Sequence, residues 1–480
     1  MIDLIRRPLR IPPVALAFVG SLLLHLIAIS GTVIVNRDAA LYLHIARQVT
    51  ELGPAAAQAQ FDWPWFSLLI AGTHGLLGLP FETAAYLWCV LFMAGTCALL
   101  VSICQRYVTG SGYWACLVVL SIPAFNQLRD DILREFGFWF FCVLALWLAL
   151  QWFERRSWWR AVLIQLAIGM AALFRLEAVF LLPVLACCLL PELNTRRGWL
   201  GLVQLNAVPL AALPLLALSG FAGEARVTYY WSLLGPQAVL QRFDLIARGF
   251  AEVALQKHAV DDARRIVLFG LLFSLLAKFF AISGPFALPF LYPGSWLAVG
   301  EYWRKLRPLA VAWLFYFGIL LLFLVQQGFV NGRYAGFLNL LAIPLLTMAL
   351  LVSVHRFPRS AKPFVALAVV VMLANVVSLA AKKTHYLEAS AWLSQHTQPS
   401  DFIFYDDSRI AYYAGRGYPM MPTRENLIAA QPEYLQKIRY FVIAARKDEP
   451  LLERWLAEQG KRVLIQFANR KGETVLILGD

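Results

Sequence analysis

The residues best placed to do chemistry are acids and guanidiniums at the ends of long apolar runs. Asp38 stands in Asn36-Arg37-Asp38-Ala39-Ala40-Leu41-Tyr42-Leu43-His44-Ile45-Ala46, directly after the first such run. Arg129-Asp130-Asp131 with Arg134-Glu135 forms a second group, Arg175-Leu176-Glu177 a third and Asn331-Gly332-Arg333-Tyr334 a fourth. A carboxylate can take the proton of a hydroxyl or amine, and cations can hold a departing phosphate. That combination suits transfer of a sugar from a lipid phosphate. The leaving group is already an anion of low basicity, so no general acid is needed. One carboxylate base then suffices, which predicts an inverting displacement rather than the paired carboxylates of retaining glycosidases.

Each group also has a plainer reading. Asp38 would serve as a helix N-cap. Asp130 and Asp131 would complement a helix dipole from its first turn. Arg134 and Glu135 fall inside the start of an apolar helix, where charge is expensive and usually functional. Arg333-Tyr334 also reads as an interfacial anchor pair, and Arg175-Leu176-Glu177 as a turn between two short spans. A polar stretch from Gly220 to Arg265 offers Arg226, Tyr229, Tyr230, Arg242, Lys257, His258, Asp261, Asp262, Arg264 and Arg265. His258 there is either an ordinary loop histidine or a metal ligand.

These residues need a membrane to position them. Of 480 residues, 60% are hydrophobic and only 15% charged. Soluble globular proteins carry about 25% charged residues, so the chain reads as an integral membrane protein. Its net charge of +13 comes from Lys and Arg in short gaps between apolar runs. That is the signature of topology, and no basic tract interleaved with aromatics supports a nucleic-acid partner. All seven cysteines lie in apolar runs without metal or redox spacing and read as buried hydrophobes. The basic Met1–Arg10 followed by a long run reads as a signal anchor.

A span needs roughly 20 apolar residues. Runs over Pro13–Val35, Thr83–Cys104, Gly112–Phe125, Ile132–Phe153, Trp159–Phe174, Leu176–Leu190, Trp199–Ser219, Ile266–Val299, Leu309–Val325, Ala335–Val354 and Pro363–Ala381 give about 11 spans. Every expected inward gap carries Arg or Lys, which puts Asp38 outside. Ile266–Val299 is too long for one span and is broken at Gly284-Pro285. It reads as an interfacial helix followed by one crossing. Asp38–Leu52 reads as a surface helix with Leu41, Ile45, Val49 and Leu52 on one stripe, stopped by Gly53-Pro54. Trp63–Leu79, short and bracketed by prolines, reads as an interfacial or partly inserted helix.

After Lys383 the pattern changes. Asp401–Asp406, Tyr440–Ala445, Arg462–Phe467 and Thr474–Leu478 predict strands, with helices at Tyr386–His396 and Leu451–Glu458. The expected organisation is therefore an α-helical polytopic membrane domain over 1–383 and a small extracytoplasmic α/β domain over 384–480. The chain shows no internal repeat, which speaks against a transporter of repeated halves.

The chain resembles the GT-C superfamily of polyprenyl-phosphate-sugar-dependent glycosyltransferases, notably protein O-mannosyltransferase-like enzymes and bacterial lipid A aminoarabinose transferases. Asp38, Ala40, Tyr42 and Ala46 stand in register with that group's Asp-Glu-Ala-x-Tyr-x-x-x-Ala first loop, although Ala39 replaces its second acid. Phe61-Asp62-Trp63-Pro64 resembles its aromatic-acid-x-Pro segment, with Trp63 where the aminoarabinose transferases have lysine. Arg129-Asp130-Asp131 with Arg134-Glu135 is similar to its second acidic loop, Leu173–Glu177 to its helix break, Asn331–Tyr334 with Pro344 to its Arg-Tyr element, and Arg409–Arg416 to a segment of its outer domain.

The resemblance implies an extracytoplasmic cavity and an undecaprenyl- or dolichyl-phosphate sugar donor. Asp38 would be the base, with Asp130 or Asp131 orienting the acceptor. Arg333 would clamp the donor phosphate, aided by Tyr334, Arg134, Arg175 and Lys257. Tyr42, Glu135 and Asp62 would line the donor and acceptor pocket, and Asp62 and His258 could share a divalent metal. Partners would be the lipid-linked sugar, membrane lipid and a glycan, lipid or protein acceptor, at a bacterial inner membrane with the C-terminus outside. A polyprenyl-linked lipid or polysaccharide transporter, and an O-antigen ligase-like transferase using a diphosphate donor, are the competing readings.

Overall fold

The computed structural model describes residues 11–218, 228, 229, 232, 235–378, 381–423, 426, 435, 437–445 and 460–479. Met1–Arg10, Arg226, Tyr230 and the expected Leu451–Glu458 helix lie outside them. All eleven apolar runs carry helix. Seven described helical stretches are long and apolar enough to cross a membrane: Pro13–Ser30, Phe81–Tyr107, Glu135–Glu154, Lys257–Leu291, Arg307–Gln327, Gly332–Arg356 and Pro358–Val376. The other four runs form helices over Gly112–Ser121, Trp158–Phe174, Leu181–Leu189 and Arg196–Leu218. The protein is thus a mostly helical, multi-pass membrane protein with a small C-terminal sheet.

One expectation is corrected. In the Ile266–Val299 run the long continuous helix comes first, over Ala263–Ser283. The break at Gly284-Pro285 is followed by 3-10 turns over Gly284–Leu291 and Pro293–Trp296 and a short polar-faced helix, Leu297–Lys305. Gly284 takes φ +58, a left-handed conformation glycine tolerates, and proline follows where no helical N–H is available. The crossing-length helix therefore precedes the surface piece.

The chain divides into two compact units. The first holds residues 1–27, 87–129 and 134–376. Its core is built on Gly332–Arg356, buried along most of its length. Glu135–Glu154 lies so close to Trp158–Phe174 that a Cβ on Gly137 would meet the Phe174 ring at 2.4 Å. Asn339 ties this core across helices, its Nδ2 donating to Phe279 O at 3.0 Å and Ser283 Oγ at 2.6 Å. The seven cysteines are free, and six are buried.

The second unit holds residues 28–86, 130–133 and 377–480. Four strands, β1 (Ile403–Tyr405), β2 (Tyr440–Ala445), β3 (Arg462–Ala468) and β4 (Thr474–Gly479), form one sheet in the order β1-β2-β4-β3. β1 pairs parallel with β2, and β4 runs antiparallel to both β2 and β3. The helices Thr384–His396 and Ser408–Tyr413 cover a core of Tyr386, Leu393, Ile410, Val442 and Ile477, and Ile34 packs against it. The first loop belongs to the same unit as residues 377–480.

The first-loop helix, Arg37–Leu52, buries Ala39, Ala40, Tyr42, Leu43, Ile45 and Ala46. The expected apolar stripe does not hold, since Leu52 is 72% exposed. Small residues let Trp65–Leu77 approach that face, and Tyr42 fills the gap edge-on to Phe66 at 5.5 Å and tilted against Phe61 at 6.0 Å.

Candidate active site

The first-loop helix is started by Asn36, not Asp38. Asn36 has extended backbone (φ −69, ψ 169), and its Oδ1 accepts from Ala39 N at 2.7 Å. This satisfies one of the orphan donors of the first turn. Asp38 sits inside that turn and is half-buried. The Tyr418 hydroxyl is pushed up by burial and then by the charges of Asp407 and Asp38.

The other amide atom of Asn36 reaches the second acidic loop. Its Nδ2 donates to Asp131 Oδ1 at 2.9 Å and to Ile132 O at 3.3 Å. The Tyr86 hydroxyl fixes the neighbouring backbone by donating to Asp130 O at 3.1 Å. Burial pushes the Asp130 carboxyl up. A cavity of about 200 Å³ opens here, lined by Asn36, Asp130, Asp131, Lys382, Lys383 and Arg409 along with the apolar chain of Ala28–Ile34. Lys383 is pushed down, first by burial and then by the Arg409 charge.

The C-terminal sheet holds this loop in place through Asp407, which is buried at the end of β1. Arg409 donates to it from Nε at 2.9 Å and Nη2 at 2.7 Å, and Arg37 from Nε and Nη2 at 3.1 Å each. Burial pushes the Asp407 carboxyl up, but these hydrogen bonds and charges outweigh it and hold it below the usual carboxylate range. Nearby, Val35 N donates to the Tyr413 hydroxyl at 3.0 Å. Gly417, at φ +76, lies against the His44 ring, which a Cβ would meet at 2.9 Å.

In the first unit the expected charges form a second cluster. Arg175 bridges two carboxylates, donating from Nη1 to Glu135 at 3.0 Å and from Nη2 to Glu177 at 2.5 Å. Its guanidinium lies over the Tyr334 ring at 4.5 Å, and Arg333 lies over the same ring at 6.0 Å. Glu135 is 4% exposed. Asn331 caps the Gly332–Arg356 helix by accepting from Arg333 N at 3.3 Å. Arg129 points inward and is fully buried, donating to Asn126 Oδ1 at 2.6 Å and to Ser21 Oγ at 2.9 Å, with His25 Nδ1 at 2.8 Å.

The structure thus joins Asp38, Asp130 and Asp131 within one unit and Arg134, Glu135, Arg175, Arg333 and Tyr334 within the other. Tyr42 lies in the packing between the two first-loop helices. Asp62 is half-buried just before the Trp65–Leu77 helix, while Lys257 and His258 are exposed in a 3-10 turn of the first unit. Among the described residues no three or more His, Cys, Asp or Glu come together as a metal site, so the described donors do not make the set a bound divalent ion usually takes. The residues that sequence reasoning passed over are Asn36, Tyr86, Asp407 and Tyr418. Asn36 carried a signal, being a favoured cap residue two positions before Asp38.

No protein-family model matches the sequence, and no curated protein sequence matches it. Solved structures do. ArnT from Cupriavidus metallidurans in the apo state matches at TM-score 0.59 and 14% identity, covering 96% of this chain and 97% of that one. The Archaeoglobus fulgidus oligosaccharyltransferase, solved with zinc and sulfate, matches at TM-score 0.60 and 11% identity over 96% of this chain and 72% of that one. AglB from the same organism, with an inhibitory peptide and a dolichol-phosphate, matches at TM-score 0.54 and 12% identity over 89% and 69%. At such identities the likeness is one of fold. This chain shares the fold of ArnT and of the archaeal oligosaccharyltransferase AglB.

Proposed function

We propose that the protein is an inverting glycosyltransferase that moves a sugar from a polyprenyl-phosphate donor to a cell-envelope acceptor at the outer face of the membrane. The observation that carries this reading is the double use of the Asn36 amide, which caps the helix bearing Asp38 and donates to Asp131, so that the two acidic loops are held together. The shared fold with ArnT and with an AglB solved with a dolichol-phosphate supports the lipid-phosphate donor.

Asp38 takes the proton of the acceptor hydroxyl as its oxygen attacks the anomeric carbon. The bond from that carbon to the phosphate oxygen breaks on the opposite face, and polyprenyl phosphate departs with the electron pair. The product is inverted because one displacement occurs. Asp130 and Asp131 orient the acceptor. Arg333, with Tyr334 and Arg134, holds the departing phosphate, a role that rests on residue type. Arg175 is engaged by Glu135 and Glu177 and serves this reading by fixing Tyr334.

The test is turnover of purified protein with labelled undecaprenyl-phosphate sugars and cell-envelope extract as acceptor. Release of polyprenyl phosphate with label in the acceptor is expected. Label that crosses vesicles intact, still lipid-linked, would identify a transporter. Turnover with a diphosphate donor alone would identify a ligase-like transferase.

A further inference from the structure

We infer that the first unit carries a second ligand site, for the phosphate headgroup of an anionic membrane lipid, centred on Arg307. A cavity of about 330 Å³ is lined by Tyr107, Leu150, Phe153, Glu154, Cys188, Glu192, Arg304, Lys305, Arg307 and Pro308. At about 30 Å³ per water it has room for on the order of ten waters, more than a lone phosphate fills and enough for a phosphoglycerol group. Its wall is half polar and half apolar, with Leu150 and Phe153 beside the charges.

The charges decide what it takes. Glu154 is engaged by Arg106 and by the Tyr107 hydroxyl, the latter at 2.6 Å. Glu192 is engaged by Arg156 at 2.6 Å. Arg304 and Lys305 both pair with Glu301, Lys305 at 2.7 Å. Arg307 is the cation lining the cavity that has no ion pair among the described residues. Its Nε is buried without a hydrogen-bond partner. A buried donor left without a partner keeps its desolvation cost uncompensated, so the site favours an anion that can accept from it.

A phosphate does so with the geometry a guanidinium matches best. Arg307 also opens the Arg307–Gln327 helix, where the dipole adds to the attraction. The cavity belongs to the Arg- and Lys-bearing gaps that the sequence places on the inward side, which faces an anionic leaflet. Basic pockets between membrane helices on that side suit such headgroups. Acyl chains would lie along the apolar helices, where Phe153 and Leu150 begin. The inference does not depend on the proposed transfer reaction.

The experiment is native mass spectrometry of the full-length protein released from nanodiscs containing equal phosphatidylglycerol and phosphatidylcholine. Wild type is expected to retain phosphatidylglycerol roughly fivefold over phosphatidylcholine, the ratio given by about 1 kcal/mol for one basic residue at an anionic surface. Arg307→Gln is expected to lose that preference and Arg307→Lys to keep part of it. Equal retention of the two lipids by wild type would overturn the site, whether or not Arg307→Gln purifies. So would an unchanged preference in Arg307→Gln. Competition by millimolar inorganic phosphate that removes the lipid completely would show a free-phosphate site and overturn the lipid assignment.

Discussion

Asn36 Nδ2 lies 2.9 Å from Asp131 Oδ1 while the other atom of the same amide caps the helix that carries Asp38. One neutral side chain therefore joins the two acidic loops. Asn36→Ala should lose both contacts and destabilise the protein by about 1 kcal/mol, the usual worth of a cap. Asn36→Asp is the sharper variant. It keeps the cap but loses the bond to Asp131 and sets two carboxylates face to face, so melting should fall more at pH 7 than at pH 3 while transfer falls about tenfold. Equal activity of Asn36→Asp and wild type would separate Asp131 from catalysis.

Asp38→Asn should abolish proton removal without removing bulk or polarity. General-base catalysis is worth about 10²–10⁴-fold, and a loss of turnover in that range is expected with donor affinity kept. Donor binding is read by titrating labelled undecaprenyl-phosphate sugar into the inactive variant. Turnover within a factor of a few of wild type would assign the base elsewhere.

Asp407 links the sheet to the first loop, accepting from Arg409 and Arg37. Its pair with Arg37 is 64% exposed on the arginine side and adds little. The pair with Arg409 is sheltered, so Asp407→Ala should cost about 3 kcal/mol and lower transfer by loosening the Asp38 helix. Since the folded carboxyl titrates below its ordinary value, the stability it contributes is present above about pH 4 and is lost as pH falls through the lowered value. Thermal unfolding across pH 3–7 should show a steeper acid loss for wild type than for Asp407→Asn. Parallel curves would mean Asp407 is not the linking charge.

Much of the fold was legible because apolar run length and charge placement report spans directly. Pro13–Ser30 and Gly332–Arg356 fall where run length puts them, and all four strands lie within two residues of their expected ends. The helix order after residue 266 was not legible, since the Lys and Arg rule counts crossings but does not say which side of Gly284-Pro285 crosses. Asn36 and Asp38 are both good cap residues, and only the extended backbone of Asn36 chooses between them. Asp407 was hidden because its partner Arg37 is brought to it by tertiary packing across 370 residues of sequence, although Arg409 stands only two residues on.

Asp130 has the opposite titration sense. Burial raises its folded carboxyl, so any stability linked to it is present below about pH 4 and is lost as pH rises through the raised value. Asp130→Asn removes the buried charge and should stabilise the protein at pH 7, with no gain at pH 3. Transfer should fall in the same variant if the acid orients the acceptor. A stable variant with full activity would leave Asp131 as the sole auxiliary acid.

Arg175 separates two roles by one conservative change. A phosphate clamp needs positive charge, which lysine supplies, whereas the observed arrangement needs a planar fork that reaches Glu135 and Glu177 together and stacks on Tyr334. Lysine cannot do both, and one carboxylate would remain buried without its partner. Arg175→Lys should therefore destabilise the protein by about 2–4 kcal/mol, read as a drop in melting temperature, with the donor affinity of the folded fraction near wild type. Glu177→Gln, which removes one carboxylate but leaves Arg175 its bond to Glu135, should cost less. If instead Arg175→Lys melts like wild type and weakens donor binding about tenfold, the guanidinium meets the donor phosphate directly.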